Sequence, residues 1–193
     1  MEALNIMNNA FKNDTRKYTV DEVSKMENHA ELIDGNLVIT DAANTTHNRV
    51  VKAIYLALVQ YIEGRHGECE AFTENEGLFC DELCDSKNNY FMPDVMVVCD
   101  KSGIKEDGVH VAPRFIAEVT SVSTRKHDYM DKLNVYGKIG VQEYWVVDLQ
   151  KKLVVRHLLD NDYMPELFCY PSISAIPVYT YPGLEIDLSR FFK

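Results

Sequence analysis

The most constraining feature of this sequence is a glutamate in the middle of an otherwise apolar, strand-like run. The run FIAEVTSV covers residues 115–122, and its alternation puts Ile116, Glu118 and Thr120 on one face. A carboxylate inside a buried strand costs several kcal/mol unless it is paired or bound to a cation. The run therefore predicts a central strand whose charged group needs a partner.

A second carboxylate stands at the start of another apolar run. Asp94 follows Pro93, and the residues from Val95 to Cys99 form a continuous apolar stretch that is typical of a central strand. Two carboxylates on neighbouring strands can share Mg²⁺, whose remaining octahedral positions are filled by water. A metal-bound water is a usable nucleophile near neutral pH. We expect Asp94 and Glu118 to lie close enough to bind one cation at the mouth of a mixed sheet.

The segment after this strand predicts a helix from about residue 123 to 138, with Gly140 at its exit. Asp128, Lys132 and Tyr136 occupy positions i, i+4 and i+8, so they line one helix face. If the helix packs beside the strand, Lys132 reaches the region of Glu118. A lysine there could orient the attacking water or stabilise charge developing on a phosphate.

The remaining patterns predict one α/β domain. Asp34-Gly35 lies between two apolar runs, which predicts a tight hairpin over residues 31–39. A helix is expected over about 46–63, and further strands are expected over these ranges: 69–79, 91–99, 143–148 and 152–158. We expect residues 1–17 to form a flexible N-terminal arm and residues 18–193 to form the single domain.

Composition limits the functions that such a domain can have. The formal net charge of −10 counts against a strongly basic DNA-coating surface but leaves room for a local basic strip. No run approaches the roughly 20 apolar residues of a membrane span, and no secretory signal is visible, so we expect a cytoplasmic protein without a membrane partner. The five cysteines lack zinc-site spacing, which predicts reduced thiols in a reducing compartment.

In order and spacing, a set of these residues resembles the Uma family of restriction endonucleases. The resemblance covers roughly residues 18–160 and is carried by Glu31-Leu-Ile-Asp-Gly, His47, Pro93-Asp94-Val, Glu118-Val, Ser123-Thr124-Arg125, Asp128, Lys132, Tyr136 and Glu143-Tyr144-Trp145. The family resembles the PD-(D/E)XK nuclease superfamily. This implies a restriction-endonuclease-like α/β fold, with a central mixed β-sheet flanked by helices and an N-terminal β-hairpin extension. It also implies DNA as substrate and Mg²⁺ as cofactor, with Mn²⁺ as a substitute.

The resemblance assigns roles residue by residue. Asp94 matches the PD aspartate and Glu118 matches the (D/E) position. Val119 is the X, whose main-chain carbonyl often adds a metal ligand. Taken alone, Asp94 also fits a turn cap after proline, and Glu118 also fits a buried ion pair with Lys132 or Arg125.

The chain departs from the superfamily pattern at the lysine position, where it has Thr120. Relatives with the same gap supply a lysine from the following helix, and Lys132 is the candidate. The family pattern also makes Glu31 and His47 site residues, although Glu31 could instead face solvent and His47 could serve as a helix cap. If Lys132 acts mainly in the transition state, its removal should cut activity and leave stability nearly unchanged.

Three functions compete. The first is a metal-dependent DNA endonuclease, which the pair of Asp94 and Glu118 favours. The second is a catalytically inactive module on the same fold that binds nucleic acid or protein, which the net charge and the missing strand lysine favour. A small-molecule hydrolase lacks support because GxSxG, P-loop and HExxH motifs are absent from the sequence.

A two-fold homodimer is also expected. Its basis is the apolar material near the C-terminus, which comprises Tyr179, Tyr181, Leu184, Ile186, Phe191 and Phe192. A nuclease that cuts duplex DNA would also gain from presenting one site to each strand.

Overall fold

The apolar run around Glu118 forms β9 (Phe115–Thr120), an inner strand of a mixed six-stranded sheet. The computed structural model describes residues 16–26, 29–39, 43–83, 88–160, 164–173 and 175–193. The strand order of this main sheet is β12 (Glu166–Cys169), β11 (Leu153–Leu158), β10 (Glu143–Asp148), β9, β6 (Val95–Val98) and β3 (Glu70–Thr73). Only β9 and β10 are parallel neighbours in it. The expected central mixed sheet is therefore confirmed.

A second six-stranded sheet packs against the main sheet through a shared apolar core. Its order is β2 (Asn36–Ile39), β1 (Ala30–Ile33), β5 (Tyr90–Phe91), β4 (Leu78–Phe79), β8 (Gly108–Val109) and β7 (Ile104–Lys105). The predicted hairpin is β1–β2, and Asp34 and Gly35 have φ of 48° and 77°, as its tight turn requires. Each strand predicted over 69–79 and 91–99 is instead two strands, one in each sheet.

One long helix covers one face of the main sheet, and the helix that follows β9 packs on the other face. Helix α2 (Thr45–Gly64) follows the short α1 (Val20–Val23), and the Asn44 side chain caps its start. Its buried stripe packs on the face that carries Ala117 and Val119, and consists of Val50, Val51, Ile54, Leu58 and Ile62. Within the described residues, no helix has the length and apolar character needed to cross a bilayer.

The helix predicted after β9 contains a π-helical turn at His127–Asp131, which continues into α3 (Lys132–Ile139). Gly140 ends α3 with φ of 94°, a left-handed conformation that suits glycine. The buried face of α3 packs against Ile116 and the second sheet. Because Glu118 shares a strand face with Ile116, it points toward α3.

The C-terminal apolar residues are used within the chain. Strands β13 (Ala175–Pro177) and β14 (Glu185–Asp187) form a small sheet, and Tyr181, Ile186 and Phe192 are buried in the core beneath α2. The sequence argument for a dimer is therefore wrong in its premise, because most of this apolar surface is already covered. The dimer itself stays a prediction.

The expectation that the cysteines are all reduced is wrong, because Cys69 and Cys99 form a disulfide. These residues extend β3 and β6, whose antiparallel register pairs Glu70 with Val98. Their proximity arises from strand pairing across a separation of 30 residues, which cysteine spacing does not reveal. Cys84 and most of the predicted N-terminal arm, residues 1–15, lie outside the described residues.

Candidate active site

A row of three acidic residues crosses neighbouring strands of the main sheet. The antiparallel registers of β3, β6 and β9 bring Glu74, Asp94 and Glu118 to consecutive places along one edge. The Asp94 N–H donates to Glu118 Oε2 at 3.4 Å, and Asp94 Oδ2 accepts from the Val119 N–H at 2.6 Å. Asp94 and Glu118 are therefore neighbours across adjacent strands, and the binding of one cation by their two carboxylates stays a prediction.

Lys132 lies at the centre of a buried charge cluster beside this row. Its Nζ is 2.8 Å from Glu31 Oε1, 2.9 Å from Glu118 Oε1 and 3.6 Å from Asp128 Oδ1. Lys132 is only 4% exposed, and the three acids are no more exposed than 5%. Helix α3 thus brings a lysine to the Glu118 carboxylate, although the strand position expected to carry one has threonine.

A π-helical turn lies directly before Lys132 on this face of the helix. Lys132 donates its backbone N–H to the His127 carbonyl, five residues earlier, which widens the turn between Asp128 and Lys132. One turn later the Tyr136 hydroxyl donates to Glu118 Oε1 at 2.8 Å. The alignment of Asp128, Lys132 and Tyr136 was predicted, whereas the π-helical turn was not.

The cluster has more acidic groups than basic ones. Burial raises the pKa of Glu118, an effect that Lys132 opposes and that Asp94, Asp128 and Glu31 reinforce. Burial alone would lower the pKa of Lys132, but the charges of the surrounding carboxylates outweigh it and raise that pKa well above its ordinary value. The lysine therefore stays charged, and the excess of carboxylates favours uptake of a proton by Glu118 or binding of a further cation.

His47 reaches the row from the first turn of α2. Its Nε2 lies 3.1 Å from Asp94 Oδ2, and its Nδ1 lies 3.3 Å from Asn48 Oδ1. Burial lowers the pKa of His47, but the hydrogen bond to Asp94 and the Asp94 charge outweigh it and raise the pKa to about 9. Of the two further residues that the family pattern assigns to the site, Glu31 contacts Lys132, whereas His47 contacts Asp94.

Glu31 connects the second sheet to the site. It is 5% exposed, so the alternative in which it faces solvent is wrong. Its Oε1 accepts from both Lys132 Nζ at 2.8 Å and the Met92 N–H at 3.0 Å. Thr120, at the position of the missing lysine, donates its hydroxyl to the Ser121 carbonyl.

Sequence reasoning missed Glu74, which follows β3 in a polar turn. Ligand atoms of His47, Glu74 and Asp94 all lie within 4.8 Å of one another. The local pattern gave no sign of this, because Glu74 stands between the polar residues Thr73 and Asn75, whereas Asp94 and Glu118 interrupt or begin apolar runs. Only the pairing of β3 with β6 brings it beside Asp94.

These residues fit a divalent cation. Carboxylate oxygens are the ligands that Mg²⁺ prefers, and Asp94, Glu118 and Glu74 provide them along one edge of the sheet. Among the described residues, Asp94 Oδ1 makes no hydrogen bond, since both bonds to this carboxylate use Oδ2. Val119 contacts Asp94 through its N–H, and a role for its carbonyl as a metal ligand stays a prediction.

The mixed sheet with an acidic edge and an adjacent lysine is the arrangement expected of a restriction-endonuclease-like protein. Residues 18–189 match the model of the Uma2 family, described as "Putative restriction endonuclease", and the chain belongs to this family. The match extends beyond residue 160, where the resemblance seen in the sequence ended. It supports a nuclease-type function.

A solved structure shows the same fold. It is described as a "putative nuclease belonging to DUF820 from Anabaena variabilis ATCC 29413". The two proteins have a TM-score of 0.72 and 19% sequence identity, and the similarity covers 91% of this chain and 97% of the other. At this identity the likeness shows the fold alone. A search of curated proteins found no match.

Proposed function

We propose that this protein is a metal-dependent endonuclease that hydrolyses phosphodiester bonds in DNA, with Mg²⁺ as cofactor and Mn²⁺ as a substitute. One observation carries the proposal. Asp94 and Glu118 are adjacent at the sheet edge, and Lys132 Nζ lies 2.9 Å from Glu118. The family and the fold support the same class of reaction.

Asp94 and Glu118 would hold the cation. When bound, Mg²⁺ would supply an activated water and neutralise charge developing on the phosphate. Asp94 is oriented by the Val119 N–H, so its carboxylate is fixed before substrate arrives. Lys132 would keep a positive charge where negative charge develops in the transition state, and electrostatic stabilisation of this kind is a large catalytic term.

Glu31 and His47 would act on the groups beside them. Glu31 holds the ammonium of Lys132 from the side of the second sheet, at 2.8 Å. His47 contacts Asp94 Oδ2 and would orient that carboxylate or contact a phosphate oxygen. In this proposal both residues position the groups that meet the substrate.

The second candidate is a catalytically inactive module that binds nucleic acid or protein. The net charge of −10 favours it, because a protein that neutralises many phosphates needs a basic surface. The short distance from Lys132 to Glu118 favours the enzyme. Lys132 brings a positive charge to Glu118, which Thr120, at the usual lysine position of the strand, does not provide.

A DNA cleavage assay separates the two functions. The wild-type protein should cut supercoiled or linear DNA with Mg²⁺ or Mn²⁺ and leave it intact with EDTA. Asp94→Asn and Glu118→Gln should each lower the rate by about 100-fold or more. Glu185→Gln removes the same charge from an exposed strand residue and should cut like wild type. Cleavage by Asp94→Asn at the wild-type rate would refute the proposal.

We include two further predictions in this proposal. A two-fold dimer would present one site to each DNA strand, and sedimentation that gives a monomer mass at micromolar concentrations would refute it. Location in the cytoplasm stays a prediction, and the disulfide between Cys69 and Cys99 weighs against it because disulfides are rare in reducing compartments.

A further inference from the structure

Asp94 has a second group of potential metal ligands besides Glu118. His47 belongs to α2, Glu74 follows β3 and Asp94 precedes β6, and their ligand atoms all lie within 4.8 Å of one another. We propose that His47, Glu74 and Asp94 form a cation position that prefers a first-row transition metal to Mg²⁺. The role of this cation in cleavage rests on the proposed function, whereas its binding does not.

For this second cation position, the hydrogen bonds favour the triad over Glu118 as the source of ligands. Glu118 Oε1 already accepts from Lys132 and Tyr136, and Oε2 faces the Asp94 N–H. Glu74 is half-buried, and its carboxylate makes no hydrogen bond or salt bridge with the other described residues. It therefore has lone pairs available for a metal ion, and Asp94 Oδ1 is similarly available.

The imidazole of His47 is held in an orientation that suits a ligand. Nδ1 lies 3.3 Å from Asn48 Oδ1, while Nε2 shares a hydrogen bond of 3.1 Å with Asp94 Oδ2, and a metal ion bound here would displace the proton of that bond. Metal-binding histidines commonly use one ring nitrogen for an oxygen partner that fixes the ring, and the other for the metal. Asn48 fills the first role here.

The ligand types determine the preferred metal. Mg²⁺ selects oxygen ligands and retains several waters, whereas imidazole nitrogen suits first-row transition metals. One imidazole and two carboxylates therefore favour ions such as Mn²⁺ and Co²⁺, with Co²⁺ the tighter of the two. The pair of Asp94 and Glu118 offers only oxygen and gives no such preference.

Direct titration with Mn²⁺ tests the site in the full-length protein without any reaction. Electron paramagnetic resonance reports the free ion, so that bound Mn²⁺ is measured by difference. Wild type should bind one ion per chain at this position, and Glu74→Gln and His47→Gln should each weaken binding about ten-fold or more. Glu70→Gln is the matched control, because it removes an exposed acid from β3, the strand that leads into Glu74, and should bind like wild type.

The outcomes distinguish this inference from the proposed function. Unchanged Mn²⁺ affinity in Glu74→Gln would overturn the inference, as would displacement of Mn²⁺ by an equal concentration of Mg²⁺. Binding of Mn²⁺ that depends on Glu74, in a protein that cuts no DNA, would support the site and refute the nuclease. If Glu74→Gln cuts DNA with Mg²⁺ like wild type and binds Mn²⁺ with unchanged affinity, the nuclease would be supported and the proposed cation site refuted.

Discussion

Replacement of Lys132 by methionine should destabilise the protein strongly. Methionine keeps much of the aliphatic chain but removes the only cationic side chain within 4.0 Å of Glu31, Glu118 and Asp128 among the described residues. Breaking a buried ion pair by removing one partner costs about 3–5 kcal/mol, because the remaining charge is left uncompensated. We therefore expect a loss of this size in the free energy of unfolding.

This expectation differs from the one that the sequence suggested. A lysine used mainly in the transition state could be removed with little effect on stability, but Lys132 is only 4% exposed and has three acidic neighbours. Catalysis and stability thus depend on the same ammonium. A drop in cleavage by Lys132→Met must therefore be measured under conditions in which the variant is folded.

Urea unfolding followed by circular dichroism measures the effect. The matched control is Lys138→Met, which removes an exposed lysine from the same helix and should change stability by less than about 0.5 kcal/mol. A Lys132→Met protein within about 1 kcal/mol of wild type would refute the reasoning. It would mean that Glu31, Glu118 and Asp128 can stay buried in the folded protein without the charge of Lys132.

Three further predictions concern the rest of the fold. The double variant Cys69→Ala/Cys99→Ala should unfold at a lower urea concentration. Its free energy of unfolding should fall by about 3–4 kcal/mol for a loop of this length. Burial lowers the pKa of His157 below its ordinary value of about 6.5, so the unfolded chain takes up a proton at this residue more readily than the folded protein does. Wild type should therefore lose stability relative to His157→Gln as the pH falls below about 6.5. Urea midpoints at pH 7.5 and 5.5 check this. Glu143→Gln should lower the melting temperature, with a cost of about 2 kcal/mol, because Glu143 is fully buried and accepts from Trp145 and Thr180.

The sequence predicted those parts of the fold that depend on local periodicity. The apolar stripe of α2 follows from a spacing of three and four residues. The hairpin turn follows from Asp34-Gly35, a pair that accepts positive φ at both positions. The faces of β9 follow from alternation, which correctly separated Glu118 from Val119.

Features that depend on pairing between distant segments escaped prediction. The second sheet is built from strands as short as two residues, and such segments show no periodicity. The disulfide and the position of Glu74 both arise from the register of β3 against β6. The π-helical turn before Lys132 also escaped, because the helical pattern assumes a uniform 3.6 residues per turn.

The pairing of β3 with β6 links the disulfide to the candidate site. The two strands pair over four residues each, with Cys69 and Cys99 joined at one end and Glu74 and Asp94 adjacent at the other. A slip of one residue in this register would turn every side chain of β3 to the opposite face, and Glu74 would leave Asp94. A covalent bond at one end opposes such a slip at the other, so the disulfide helps to keep the spacing of two proposed metal ligands.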